Sequence, residues 1–200
     1  MYTSLNDIHG VFWSGTVAAV LGPSDSGKTE LSVLEAVKLA NERMSVAYIS
    51  FDTVQDKLET LSNRFFDLKT DTKVPIYLKL VSQFDCYSLD ECFSHNSSLV
   101  ILDPIDKLAE YLRIDENTLF KSLKEKVRQK RVAVLAVKQV SSSLDISQEF
   151  DKLGLEPGLS LHVDNIFNCD KRNMSCNLQV LKSNAHGAGF NFNVHLVPIK

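Results

Sequence analysis

Two hundred residues, 44% hydrophobic and 24% charged, suit one globular domain with a sizeable core. A formal net charge of -3 excludes a global cationic field for nucleic acid, so any DNA contact must come from a local patch. No apolar stretch approaches the roughly 20 residues of a membrane span, and the first residues lack the basic and apolar regions of a secretion signal.

The first apolar run, Gly15–Leu21, predicts a strand. It leads into Gly22-Pro23-Ser24-Asp25-Ser26-Gly27-Lys28-Thr29, a complete G-x-x-x-x-G-K-T phosphate-binding loop. A helix is expected over Thr29–Asn41, where Leu31, Val33, Leu34, Val37 and Ala40 form a broad apolar face. Strand, Gly-rich turn and helix, in that order, are the context the motif needs. Backbone N–H groups across Gly22–Thr29 would cradle nucleotide phosphates, aided by the helix dipole. Lys28 would reach the β- and γ-phosphates, and the Thr29 hydroxyl would sit on Mg²⁺.

Ser45–Phe51 reads as the next strand and ends at Asp52. That carboxylate has two readings: it orients an attacking water, or it caps the following turn. A helix over Asp56–Phe66 carries Leu58, Leu61 and Phe65 on one face. Val74–Val81 is a third strand, and Leu89–Asn96 a short helix. Ser98–Asp103 is an apolar strand closing on Asp103, about 75 residues beyond the loop. A carboxylate there fits the second acidic motif of P-loop NTPases, which holds the Mg²⁺ shell at a strand's C-terminal end.

Glu116–Lys130 predicts a longer helix and Arg131–Val137 a strand. Just past it, Gln139 either hydrogen-bonds the γ-phosphate or is a solvated strand terminus. Lys121, Lys124, Lys126, Arg128, Lys130 and Arg131 form a basic group without interleaved aromatics. That favours a solvent face with helix-terminal cations over a DNA contact. A smaller group is Lys171, Arg172 and Lys182. The five histidines show no triad or ligand spacing. Cys86, Cys92, Cys169 and Cys176 lack zinc spacing and read as free thiols of an intracellular protein, with Cys169 and Cys176 able to face each other across a hairpin.

Residues 141–157 read as a loop. The strands Leu159–Phe167, Asn177–Lys182 and Phe190–Leu196 follow, joined through Asn168–Asn173 and Asn184–Gly189. The expected fold is α/β: a doubly wound, mainly parallel sheet with an antiparallel C-terminal hairpin. Residues 1–200 are expected to form a single domain with no separate N-terminal module.

These elements, in this order, resemble the RecA-like P-loop NTPase core. More narrowly they resemble the eukaryotic paralogues of the strand-exchange recombinase, from about Leu5 to Val197. The carrying segments are Leu5–Gly10 with Gly15–Gly22, Gly27-Lys-Thr-Glu30, the Asp52 segment, Leu99–Asp103, Lys138–Val140, and Gln179–Asn184 followed by Phe190–Val194. Gly27–Glu30, Asp52 and Lys182-Ser183-Asn184 are most similar to the short X-ray-repair member that lacks an N-terminal DNA-binding domain. The resemblance implies ATP and Mg²⁺ as cofactors, held by Gly22–Thr29, with Thr29 and Asp103 at the metal and Asp52 and Gln139 in catalytic positions. It implies a nuclear subunit that pairs with other recombinase paralogues. Such a subunit would assist recombinase filaments on single-stranded DNA in homologous-recombination repair.

Departures from that pattern point to an accessory subunit with slow or absent hydrolysis. Asp52 stands where active recombinases place Glu, and the segment between Asp103 and the next helix is short. The stretch after Gln139 lacks basic and aromatic residues, and no Phe-x-x-Ala tether is clear. The competing class is an independent P-loop ATPase or small-molecule phosphotransferase; no Arg-rich lid follows the last core helix to support the latter.

Overall fold

In chain order the elements are β1 (Val17–Gly22), α1 (Lys28–Asn41), β2 (Val46–Ser50), α2 (Gln55–Asn63), β3 (Leu78–Ser82), α3 (Leu89–Cys92), β4 (Leu99–Asp103), α4 (Ile105–Leu112), α5 (Glu116–Lys130), β5 (Ala133–Gln139), β6 (Asn165–Arg172), β7 (Ser175–Ser183) and β8 (Asn191–His195). They come from a computed structural model that describes residues 5–7, 11–65, 77–140, 161–183, 189 and 191–197. All eight strands lie in one sheet, ordered β3-β2-β4-β5-β1-β6-β7-β8. Neighbours are parallel from β3 through β6, and the β6–β7 and β7–β8 pairs are antiparallel.

Why these strands are apolar throughout follows from where they lie. β1, β2 and β4 are buried at every residue. Side chains alternate between two cores, one on each face of the sheet. Ala18, Val20, Tyr48 and Ile101 join the α1 core with Leu31, Leu34 and Val37. Val17, Ala19, Ile49 and Leu102 join the α4–α5 core with Leu108, Leu119 and Val127. A strand covered by helices on both sides cannot show a polar face.

Four boundaries differ from the sequence reading. Helix α4 follows β4 almost directly, in a stretch read as a short connection; Ile105, Leu108 and Ala109 are its buried face. Strand β6 continues to Arg172 through residues read as a turn, and the reversal falls at Asn173, which takes a left-handed conformation. Its polar residues alternate with buried Ile166, Phe167 and Cys169 because one face meets solvent. Residues 161–164 are not strand, so β6 begins later than Leu159. Helix α3 ends at Cys92 rather than Asn96. The loop over 141–157, the start of the third strand at Val74, and most of the Asn184–Gly189 connection lie outside the described residues.

Much of the basic group on α5 is structural. Lys124 Nζ bonds the Gly15 carbonyl and the Asp164 carboxylate, and Asp164 Oδ2 also accepts the Val17 N–H at 2.7 Å. Lys126 Nζ reaches Asp90 at 2.8 Å. These bonds tie α5 to the entrance of β1, to β6 and to α3.

Candidate phosphate-binding site

Parallel strands all end on the same edge, and the candidate residues gather there. Strand β1 delivers the loop, whose first glycine pairs in register with Gln139 of β5. Val140 N–H donates to the Gly22 carbonyl at 3.0 Å, fixing the loop's base. Gly22 is required by crowding: a Cβ there would lie 2.7 Å from the Cys169 carbonyl oxygen. Gly27 is required twice over. Its φ is +83°, and a Cβ would lie 2.9 Å from Cys176 Sγ and 3.0 Å from the Lys171 stem.

Gly27 also starts α1, and no side chain caps that helix. The first-turn N–H groups therefore keep their capacity for an anion. Lys28 Nζ folds back to the Pro23 carbonyl and to Ser26 Oγ at 3.3 Å. Burial holds its ammonium below the ordinary value, against the pull of nearby Asp103. Pro23 is half-buried, Ser26 buried, and Ser24 and Asp25 exposed, Asp25 in a left-handed conformation.

Asp103 reaches the loop although β5 lies between its strand and β1. Thr29 Oγ1 donates to Asp103 Oδ2 at 2.8 Å, and the hydroxyl of fully buried Tyr48 donates to the same oxygen. Burial pushes the Asp103 carboxyl up to about 6, and the two hydroxyls oppose that rise. Burial and the facing carboxylate push the Tyr48 hydroxyl well above its usual range, so it stays a donor.

Asp52 and Gln139 meet elsewhere on the same edge, lining a cavity of about 450 Å³ with Pro104, Asp106, Lys107 and Val140. Asp52 Oδ1 accepts from Thr53 Oγ1 at 2.9 Å and Ser50 Oγ at 3.3 Å, the pattern of a carboxylate closing its local turn. Gln139 is held by its backbone: its N–H donates to Asp106 Oδ2 at 3.1 Å. Asp106 Oδ1 also accepts from Lys138 Nζ at 3.0 Å, and Glu116 takes the same ammonium. Burial alone would lower Lys138, but Glu116 and Asp106 outweigh it and hold the ammonium above its usual value.

A second cavity, about 240 Å³, is the phosphate pocket itself, lined by Asp25, Gly27, Lys28, Thr29, Glu30 and Lys171. The sequence reading missed Tyr48, Glu30, Lys171 and Asp106. Tyr48 carried a readable signal, since a phenol in a strand buried on both faces needs a hydrogen-bond partner. The other three carried none, because only the folded chain brings them to the loop.

The thiols are all free and buried. Cys169 stands opposite Leu178 and Cys176 opposite Lys171, so the pair is diagonal on the face that meets the loop. Cys169 Sγ donates to the Ser26 carbonyl at 3.1 Å, and Cys176 Sγ lies 3.8 Å from the Gly27 carbonyl.

This fold, with this loop, is that of the RecA-like P-loop ATPases. The chain resembles a DnaB-like replicative helicase, with a TM-score of 0.68 at 11% identity over 94% of this chain and 58% of that one. A separately solved ATPase domain gives 0.69 and 11%, covering 94% and 86%. The flagellar accessory protein FlaH of Methanocaldococcus jannaschii gives 0.66 and 13%, covering 90% and 85%. No protein-family profile matches the sequence, and no curated protein is significantly similar to it.

Proposed function

We propose that this protein binds ATP with Mg²⁺ through Gly22–Thr29 and serves homologous recombination as a subunit paired with other recombinase paralogues. One observation carries the nucleotide half. Thr29 donates its proton to buried Asp103 beneath the uncapped first turn of α1. A hydroxyl held this way keeps its lone pairs for a cation, and the donor set is the hard oxygen pair that Mg²⁺ prefers. The residues therefore fit the group: Thr29 and Asp103 would hold the ion, and the loop amides with Lys28 would hold the phosphates. Bound Mg²⁺ would neutralise charge on the β- and γ-phosphate oxygens.

Titration calorimetry with Mg-ATP tests this half. Wild-type protein binds, and Lys28→Ala weakens binding at least tenfold, the value of one charge-assisted bond at about 1.5–3 kcal/mol. No affinity at millimolar ATP, with co-purified partners present, would overturn it.

The recombination half is supported by the ordered segments Gly27–Glu30, Asp52, Leu99–Asp103, Lys138–Val140 and Lys182-Ser183. The resemblance they carry implies a nuclear protein that acts on recombinase filaments and touches single-stranded DNA at most indirectly. Affinity capture from cells with mass spectrometry should recover recombinase paralogues. Their absence counts against this half and leaves the nucleotide half standing.

The second reading, an independent ATPase or phosphotransferase, draws on Asp52 and Gln139 sharing one cavity. Brisk phosphate release by the isolated monomer, abolished in Asp52→Asn, would favour it.

A further inference from the structure

Glu30 places a carboxylate in the phosphate pocket, one residue beyond the loop's threonine. A negative side chain there opposes the ligand the rest of the pocket is built for. Two cations hold it. Lys171 Nζ, from β6, bonds Glu30 Oε2, and Arg64 Nη1, just past α2, lies 3.6 Å from Oε1. Lys171 is no loose surface side chain: its stem packs on Gly27, where an added Cβ would lie 3.0 Å from both Lys171 Cβ and Cδ. Its ammonium is thus fixed at the rim of the same cavity that Lys28 and Thr29 line.

We propose that Lys171 is a second phosphate-binding ammonium, delivered by the β6–β7 hairpin, and that Glu30 holds it in reserve until a nucleoside polyphosphate arrives. This rests on the nucleotide-binding reading above. The Lys171–Glu30 pair is partly exposed, at 29% and 21%, and such pairs are weak. A polyphosphate carries more charge than one carboxylate and can take the ammonium, whose flexible stem allows the move. Glu30 then keeps Arg64, so no carboxylate is left unpaired in the pocket. The recruited charge is in cis, and it makes nucleotide affinity depend on the C-terminal hairpin.

The test compares wild type, Lys171→Met, Glu30→Gln and the double variant, titrated with Mg-ATP, Mg-ADP and adenosine. Lys171→Met should weaken Mg-ATP about tenfold, the worth of one charge-assisted bond, weaken ADP less and leave adenosine unchanged. Lys171→Arg should restore most of the loss. Glu30→Gln should tighten Mg-ATP several-fold, because it frees Lys171 and removes a repelling carboxylate; the double variant should lose that gain. An ion pair with a purely structural role predicts weaker binding in both single variants, and that result overturns the proposal. So does unchanged affinity in Glu30→Gln, which decides alone should Lys171→Met fail to fold. Wild-type protein that binds no nucleotide sinks both this proposal and the nucleotide reading, whereas normal binding with an unresponsive Glu30→Gln sinks this one only.

Discussion

The parallel half of the sheet and its antiparallel edge bury their residues differently, and the phosphate loop lies where the two meet. β2 and β4 are buried at every position, whereas β8 alternates exposed and buried residues. Helices cover both faces of the parallel half, so its strands can hold only apolar side chains until they emerge at the C-terminal edge. That gives Asp103 a rigid mount and leaves the strand ends as the place for polar chemistry. β6 and β7 touch solvent on one face, so they can carry Lys171 to the loop beside buried Cys169 and Cys176. The parallel half supplies stiffness, and the hairpin supplies side chains that press on the loop's flank.

Four substitutions would break or sharpen that contrast. Ile101→Ala, at the centre of β4 and 0% exposed, should cost about 4 kcal/mol in urea unfolding. Gly27→Ala should cost about 3 kcal/mol from left-handed strain and collision with the hairpin, and should abolish nucleotide binding. If Gly27→Ala is tolerated, the hairpin does not press on the loop.

Asp103→Asn should act in the opposite direction. Its carboxyl is raised from 3.8 to about 6 by burial, so the folded state favours the protonated form. The charged group therefore destabilises ligand-free protein by about 3 kcal/mol, fully above pH 6 and not at all below about pH 4. The asparagine variant should melt higher than wild type at pH 8, match it near pH 4, and lose Mg²⁺-dependent nucleotide binding. Differential scanning calorimetry across pH reads the first two effects. A variant less stable at pH 8 would show that the Thr29 and Tyr48 bonds outweigh burial. The smallest effect should come from Val194→Ala on β8, about 2 kcal/mol, because an edge strand packs from one side only.

How much was legible varied with the environment of each strand. Val17–Leu21, Val46–Ser50 and Leu99–Asp103 announced themselves as unbroken apolar runs. Asn168–Arg172 did not, because Asn-Cys-Asp-Lys-Arg looks like a turn until its alternate residues are seen against α1 and solvent. Helix α4 was legible and overlooked: Ile105, Leu108, Ala109 and Leu112 recur at helical spacing. The loop was fully spelled out from Gly22 to Thr29, but the partners of its flank, Cys169, Lys171 and Cys176, lie at the far end of the chain.

Sequence by itself determined the loop, the strand that delivers it and the acidic residue at the end of β4, because each depends on a local run of residue types. Folding decided which distant groups share the pocket: Tyr48 on Asp103, Lys171 on Glu30, and the thiols against Ser26 and Gly27. Strand order sets those meetings, and strand order is a property of how the whole sheet buries its two faces.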